Sequence, residues 1–299
     1  MKNLLSLITL LLLFQPSFGQ DSVEEELEVN KTVDYSNFVY ESWAGTRVLN
    51  NHSTEMLPWR NLEFIVAHKF GDIAGDAGGV YNFYGLDNVA DVRIAFEYGF
   101  RDNINVGLGR SKGVGVTTQV IDSYFKYRVL RQEVEGMPLS LTYVGSAVLP
   151  YKRADLDSSS AGSYQKFTHR LGFTNQLLIG RKFHERFTAQ LNVGVNHRNY
   201  VADLDENTLF FAGASGRFRI NKWLGIVGEY NHVFNRPVEM VHTNSLSFGI
   251  ELLTGGHNFT LIFSNSKGLN ENIFLNQTTS NWLDGQFRFG FSINRRFKL

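Results

Sequence analysis

Several stretches of the chain carry residue types that do chemistry in other proteins, and each also has a plainer reading. Gly107-Leu108-Gly109-Arg110-Ser111-Lys112-Gly113 has the look of a glycine loop whose bare amides cradle a phosphate. It has neither the G-x-G-x-x-G nor the G-x-x-x-x-G-K-[ST] spacing, and no helix follows it. Inward-facing glycines running into a hairpin loop account for it. The eight histidines, at 52, 68, 169, 184, 197, 232, 242 and 257, include no i,i+2 or i,i+4 pair that would aim two rings at one metal. Asp72 and Asp76, set among Gly71, Gly75, Gly78 and Gly79, lack the alternating oxygen ligands of a calcium loop. His52-Ser53 places a base beside a hydroxyl but comes with no nucleophile elbow and no placed acid. No catalytic residue, metal or cofactor is therefore expected, and an enzyme is the third choice of function.

Charged residues at alternate positions say more. Arg93, Lys126, Arg128, Arg170, Arg217, Arg219, Arg288 and Arg296 share one parity with Asp91, Glu97, Asp122, Glu229 and Glu251. If these positions point into a barrel, the basic excess suits a weakly anion-preferring pore. The same residues suit an interlocked salt-bridge network filling a closed barrel equally well.

The elements that must position them are strands. From Asp91 to Phe100, Val92, Ile94, Phe96, Tyr98 and Phe100 alternate with Asp91, Arg93, Ala95, Glu97 and Gly99. One face is apolar and the other charged or tiny, which is a strand between two different solvents. About twelve such segments begin near residues 60, 91, 103, 118, 138, 165, 186, 208, 222, 244, 257 and 285. Mostly long and mostly short connections alternate between them. Transmembrane barrels of the outer-membrane type have short periplasmic turns and longer outside loops, and an even strand count puts both ends on the short-turn side.

Composition agrees. Lysine plus arginine and aspartate plus glutamate number 29 each, which gives no polyelectrolyte surface for nucleic acid. Absence of cysteine removes disulfides, thiolate nucleophiles and Cys-ligated metal together. Mean hydropathy of −0.18 is too polar for a helical membrane bundle. Lys2, the apolar run Leu4 to Phe14, and Ser17 and Gly19 at −3 and −1 read as an export signal cleaved before Gln20. Export, long hairpin-connected strands and a final strand of one parity (Phe287, Phe289, Phe291, Ile293, Phe297, Leu299) favour aromatics facing lipid over aromatics facing a soluble core.

A family resemblance rests on motifs met in order. They are Thr46-Arg47-Val48-Leu49-Asn50-Asn51-His52-Ser53, Asn82-Phe83-Tyr84-Gly85-Leu86-Asp87-Asn88, Asp91 to Gly99, Gly109-Arg110-Ser111-Lys112-Gly113, Thr254-Gly255-Gly256-His257, Phe263-Ser264-Asn265-Ser266 and Asp284 to Phe291. Over roughly residues 38–299 the chain resembles a β-barrel family of Bacteroidetes-type outer membranes, domain of unknown function 5777. The resemblance implies an outer-membrane barrel and brings no activity with it.

The expected organisation is a signal peptide (1–19), a disordered acidic segment (20–37), an ordered pre-barrel segment (38–59) and an all-β, single antiparallel transmembrane barrel (60–299). The pre-barrel segment is too apolar for a solvated tether, and its Arg47, His52 and Glu55 suit it to plugging the lumen. Wall residues expected to line that lumen are Arg93, Glu97, Asp122, Lys126, Arg128, Arg170, Arg217, Arg219, Glu229, Glu251 and Arg288. The expected partners are membrane lipids, the outer-membrane insertion machinery and a small solute of unknown identity that passes or binds. A structural or surface-binding barrel with no open pore is the runner-up.

Overall fold

The computed structural model describes residues 37–113, 119–157 and 160–299. The expected signal peptide, and the acidic segment up to residue 36, lie outside the described residues. Twelve strands run in chain order: β1 Asn61–Asp72, β2 Val89–Arg101, β3 Ile104–Gly113, β4 Gln119–Leu130, β5 Ser140–Pro150, β6 Gly172–His184, β7 Phe187–Arg198, β8 Thr208–Arg219, β9 Leu224–Val233, β10 Ser245–Thr254, β11 His257–Ser264 and β12 Arg288–Lys298. Each pairs antiparallel with its sequence neighbour, and β12 closes on β1 with Val66 opposite Ile293. Closure leaves no unpaired strand edge, which is what hydrocarbon requires of a sheet.

The wall is inverted relative to a soluble barrel. On β2, Phe96 is 46% exposed and Ile94 and Phe100 face outward with it, while Arg93, Ala95 and Glu97 are buried. The same division holds on β6 and β7, where Phe173, Leu177, Ile179, Leu191 and Val193 are exposed and Thr174, Gln176, Gln190 and Asn192 are buried. Charge inside and hydrocarbon outside is unstable in water and stable in a bilayer. At the end holding Asn61 and Lys298, exposed aromatics form a collar: Trp59, Phe100, Phe183, Phe187, Phe218, Trp223 and Phe297.

At that collared end the strands are joined by residues 102–103, 131–139, 185–186, 220–223 and 255–256. At the opposite end the connections are 73–88, 114–118, 151–171, 199–207, 234–244 and 265–287. Two strands start later than the periodicity suggests. β6 begins at Gly172 instead of near 165, because Phe167–Arg170 forms a 3₁₀ turn and Arg170 Nη1 donates to the carbonyls of Pro150 (2.9 Å) and Lys152 (2.7 Å). β12 begins at Arg288, after a second 3₁₀ turn at Trp282–Asp284.

The glycine-rich stretch from Gly107 lies in β3, with no helix after it. A Cβ at Gly107 would strike the ring of Tyr124, and one at Gly109 would strike the guanidinium of Arg93. Those glycines clear space for large inward side chains from neighbouring strands.

Candidate functional site: a lumen occupied by two chain segments

Residues 37–42 cross the collared end, bonded to its turns and strand ends. Phe38 bridges Glu133, Lys182 Nζ donates to the carbonyl of Tyr40 (2.7 Å), and Arg219 pairs with Glu41 (3.2 Å). The chain then enters the barrel and doubles back. Arg47 bridges His52, Val48 N–H bonds Asn51 O (2.9 Å) and Ser53 N–H bonds Thr46 O (3.0 Å), so Thr46 to Ser53 is a tight hairpin.

Hydrogen bonds from the wall reach this hairpin on every side. Glu229 on β9 accepts the backbone N–H groups of Leu49, Asn50 and Asn51 (3.3, 2.9 and 3.0 Å) and the Asn50 carboxamide (2.5 Å). Successive amides converging on one carboxylate make a strong anion cradle. Lys126 on β4 donates to the carbonyls of Thr46 (3.1 Å) and Glu55 (2.8 Å), holding both arms of the hairpin. Gln190 on β7 bonds His52 O and Thr54 N–H (2.8 and 2.9 Å), and Thr46 donates to Glu63 on β1 (2.9 Å). The apolar contribution is small: Trp43, Val48 and Leu49 meet Val227 and Ile262. Beside Arg47 and Leu49 lies a gap of about 20 Å³, the space of one water.

A second segment enters from the opposite end. In the β11–β12 connection, the helical turn α1 (Glu271–Phe274) is buried over its whole length. Ile273 packs on Val120 and Val148 of β4 and β5, while Phe274 and Leu275 pack on Leu209, Phe211 and Val233 of β8 and β9. This short segment therefore joins wall positions four strands apart. Lys69 Nζ of β1 ties both segments together, donating to Asn50 Oδ1 and to the carbonyl of Gly268 (2.6 Å each). Asp91 accepts the N–H of Leu269 (3.1 Å).

The segments meet at a charged junction. Glu271 Oε1 lies 3.2 Å from His52 Nε2 and 3.7 Å from Arg47 Nη1, and Arg47 Nη2 reaches His52 Nε2 at 3.1 Å. Burial, reinforced by Arg47, Lys126 and Arg93, holds the His52 imidazole well below its ordinary range. Burial pushes the Glu271 carboxyl up, against the pull of Arg47. Both shifts favour the uncharged form of the group.

Among the wall residues expected from parity, Arg93 pairs with Asp122 (2.5 Å) and Arg217 with Glu251 (2.6 Å). Glu97 accepts from Asn105 (2.7 Å) and Tyr124 (2.8 Å) and lies 3.7 Å from Lys126. Arg288 is held by Asp72, the Asn265 carbonyl and Ser280. Arg296 pairs with Glu63 (2.9 Å). Arg128 is half-buried near the collared end of β4, and Arg219 ends β8 at the collar. Arg170 stands off the wall, in the 3₁₀ turn described above.

Three hairpin side chains do something other than reach wall charges. Arg47 and His52 face Glu271, and the Glu55 carboxylate accepts the N–H of Trp43 (3.3 Å). The wall charges are met instead by hairpin backbone, a partner that side-chain reasoning does not see. Sequence reading also passed over Glu63 and Lys69, whose inward parity is masked by Ile65 and Ala67 between them, and the whole α1 segment. Its signal was Leu269, Ile273, Phe274 and Leu275 set among Asn265, Asn270, Asn272 and Asn276, apolar residues spaced by amides in a stretch taken for an open loop. No cluster of three or more metal-ligating side chains occurs among the described residues.

A comparison with curated proteins finds no match to the chain. Among solved structures, the NanC porin aligns with a TM-score of 0.47 and 8% identity, covering 80% of this chain and all of that one. The KdgM porin gives 0.46 and 7%, over 79% of this chain and 99% of that one. The COG4313 outer membrane channel from Pseudomonas putida F1 gives 0.48 and 13%, over 82% and 98%. The membrane bound beta barrel domain (DUF5777) matches residues 43–297, from the first residue of the inserted hairpin segment into the last strand, and the chain belongs to that family.

Proposed function

We propose that the protein is an outer-membrane barrel for passage of a small solute, held shut at rest by the Trp43–Leu57 segment and the α1 segment in series. The carrying observation is how the first segment is attached. Its bonds to Glu229, Lys126, Gln190 and Glu63 are hydrogen bonds to a polar wall, and few apolar side chains back them. When such a segment leaves and water enters, each bond is exchanged for one to water, at a net cost of about 0.5–1.5 kcal/mol for a neutral pair and about 1.5–3 kcal/mol where one partner is charged. A wall of ionised residues suits a lumen that is sometimes wet, since the wall charges stay solvated. The family match starts at Trp43 and not at β1, so the segment belongs to the domain.

An export signal over residues 1–19, the outward aromatic collar and the closed sheet support the outer membrane as location. The collared end, which holds Asn61, Lys298 and the short turns, is then periplasmic. A second reading, a closed barrel that only binds at its surface, draws on the same packed interior. A removable lock separates the two. An ideal Cβ at Gly180 lies 3.4 Å from Thr54 Cβ, just below the disulfide range of about 3.5–4.5 Å and within a small shift of it. In a chain with no native cysteine, Thr54→Cys with Gly180→Cys fastens the segment to β6. Liposome swelling by small solutes should cease on oxidation and return on reduction. Swelling unaffected by the lock refutes displacement, and no swelling in either state favours the closed barrel.

A further inference from the structure

At the end opposite the collar, a cavity of about 490 Å³ opens above α1, within the ordinary size of small-molecule pockets (about 300–1,000 Å³). Its walls come from the connections 151–171, 199–207 and 234–244, and its floor is the inserted segment. Two features of its lining point to a ligand.

The sides are largely carbon, from Val120, Val148, Leu171, Met240 and Ile273, with the ring of Tyr164 among them. The floor carries Asn270, Asn272 and Asn276, whose carboxamide oxygens are sealed beneath it. The charge is unbalanced as well. Arg198 is matched by Asp205 (2.9 Å), but Arg170 bonds only neutral carbonyls and Lys267 is exposed with no ion pair among the described residues.

We propose that this cavity binds a small organic carboxylate with an apolar body. The carboxylate meets Arg170 and Lys267, and the body lies along the carbon walls. A sugar acid would leave those walls without a partner, and an amine would meet like charge. Binding here needs no opening of the lumen, so its test stands apart from the test of passage.

The experiment is calorimetric titration of the full chain in lipid nanodiscs, with empty nanodiscs subtracted, using three probes. Phenylpropionate carries both features, phenethylamine reverses the charge, and glucuronate lacks the apolar body. Phenylpropionate should bind, and each of the others at least about tenfold more weakly, the worth of one charge contact. Lys267→Glu, at an exposed position, should weaken phenylpropionate about tenfold. Met240→Trp, which fills the cavity, should abolish its binding. Phenethylamine or glucuronate binding as tightly, no heat from phenylpropionate, or unchanged binding to Lys267→Glu or Met240→Trp would each overturn the proposal.

Discussion

Glu229 is the residue on which the inserted hairpin turns. It takes three backbone amides and a carboxamide, of which only the Asn50 carboxamide has a second acceptor, Ser247 Oγ (2.9 Å). Glu229→Ala leaves those donors facing a methyl group and Lys69 short of a counter-charge. The expected loss is about 3 kcal/mol or more, read as a lower melting midpoint of the reconstituted protein, with the gel shift of a folded barrel retained. A midpoint unchanged within error would mean the hairpin does not depend on this cradle. His52 supplies a pH dependence of definite sign. Its folded value is depressed by burial first and then by Arg47, Lys126 and Arg93, with Glu271 and Tyr124 also against the ring. A released hairpin therefore binds a proton that the inserted one resists. The His52 contribution to insertion is undisturbed above about pH 6.5 and weakens as the pH falls below it, by up to about 1.4 kcal/mol per pH unit, while the raised Glu271 carboxyl acts in the opposite sense. Between pH 6.5 and 5.5 the midpoint should drop less in His52→Gln than in the native protein. Parallel curves would remove His52 from the account.

At the scale of elements, the strands were legible because period-two alternation between lipid and lumen reports directly on the backbone. Twelve segments with alternating connections were readable from such runs as Val92 to Phe100, and the inverted faces followed from the same residues. The Phe167–Arg170 turn was not legible, since Arg170 continues the parity of β6 while its guanidinium caps carbonyls of the preceding connection. Nor was α1, because burial inside a polar lumen needs no amphipathic period. A cysteine at Thr278, in a stretch that reads as an outside loop, should resist labelling, as Thr278 is 1% exposed and donates to Phe274 O (2.7 Å). Val238→Cys, at a fully exposed loop position, should label on whole cells with an impermeant thiol reagent, and Glu185→Cys at a collar turn should not. Labelling at Glu185 alone would invert the topology. The two faces of β2 also differ in kind. Phe96→Arg places a guanidinium in hydrocarbon and should cost about 2–4 kcal/mol near mid-membrane. Ala95→Arg meets a packed interior, so its cost should fall once residues 38–57 are deleted, whereas that of Phe96→Arg should not.

For the whole molecule, two segments enter one lumen from opposite ends and meet at Arg47, His52 and Glu271. Each is anchored to the wall independently, the hairpin by Glu229 and Lys126 and the α1 segment by packing on β4, β5, β8 and β9. Two closures in series make a simple logical prediction, because removing either leaves the other across the bore. The decisive measurement is single-channel conductance in planar bilayers of four forms: intact, lacking residues 38–57, with residues 268–278 replaced by a short glycine-serine linker, and with both changes. Each form must first show the gel shift of a folded barrel. The account predicts a stable conductance in the doubly altered form alone, with only brief openings above baseline in the other three. Steady conductance of the intact protein, or a doubly altered barrel that folds and stays silent, would contradict it.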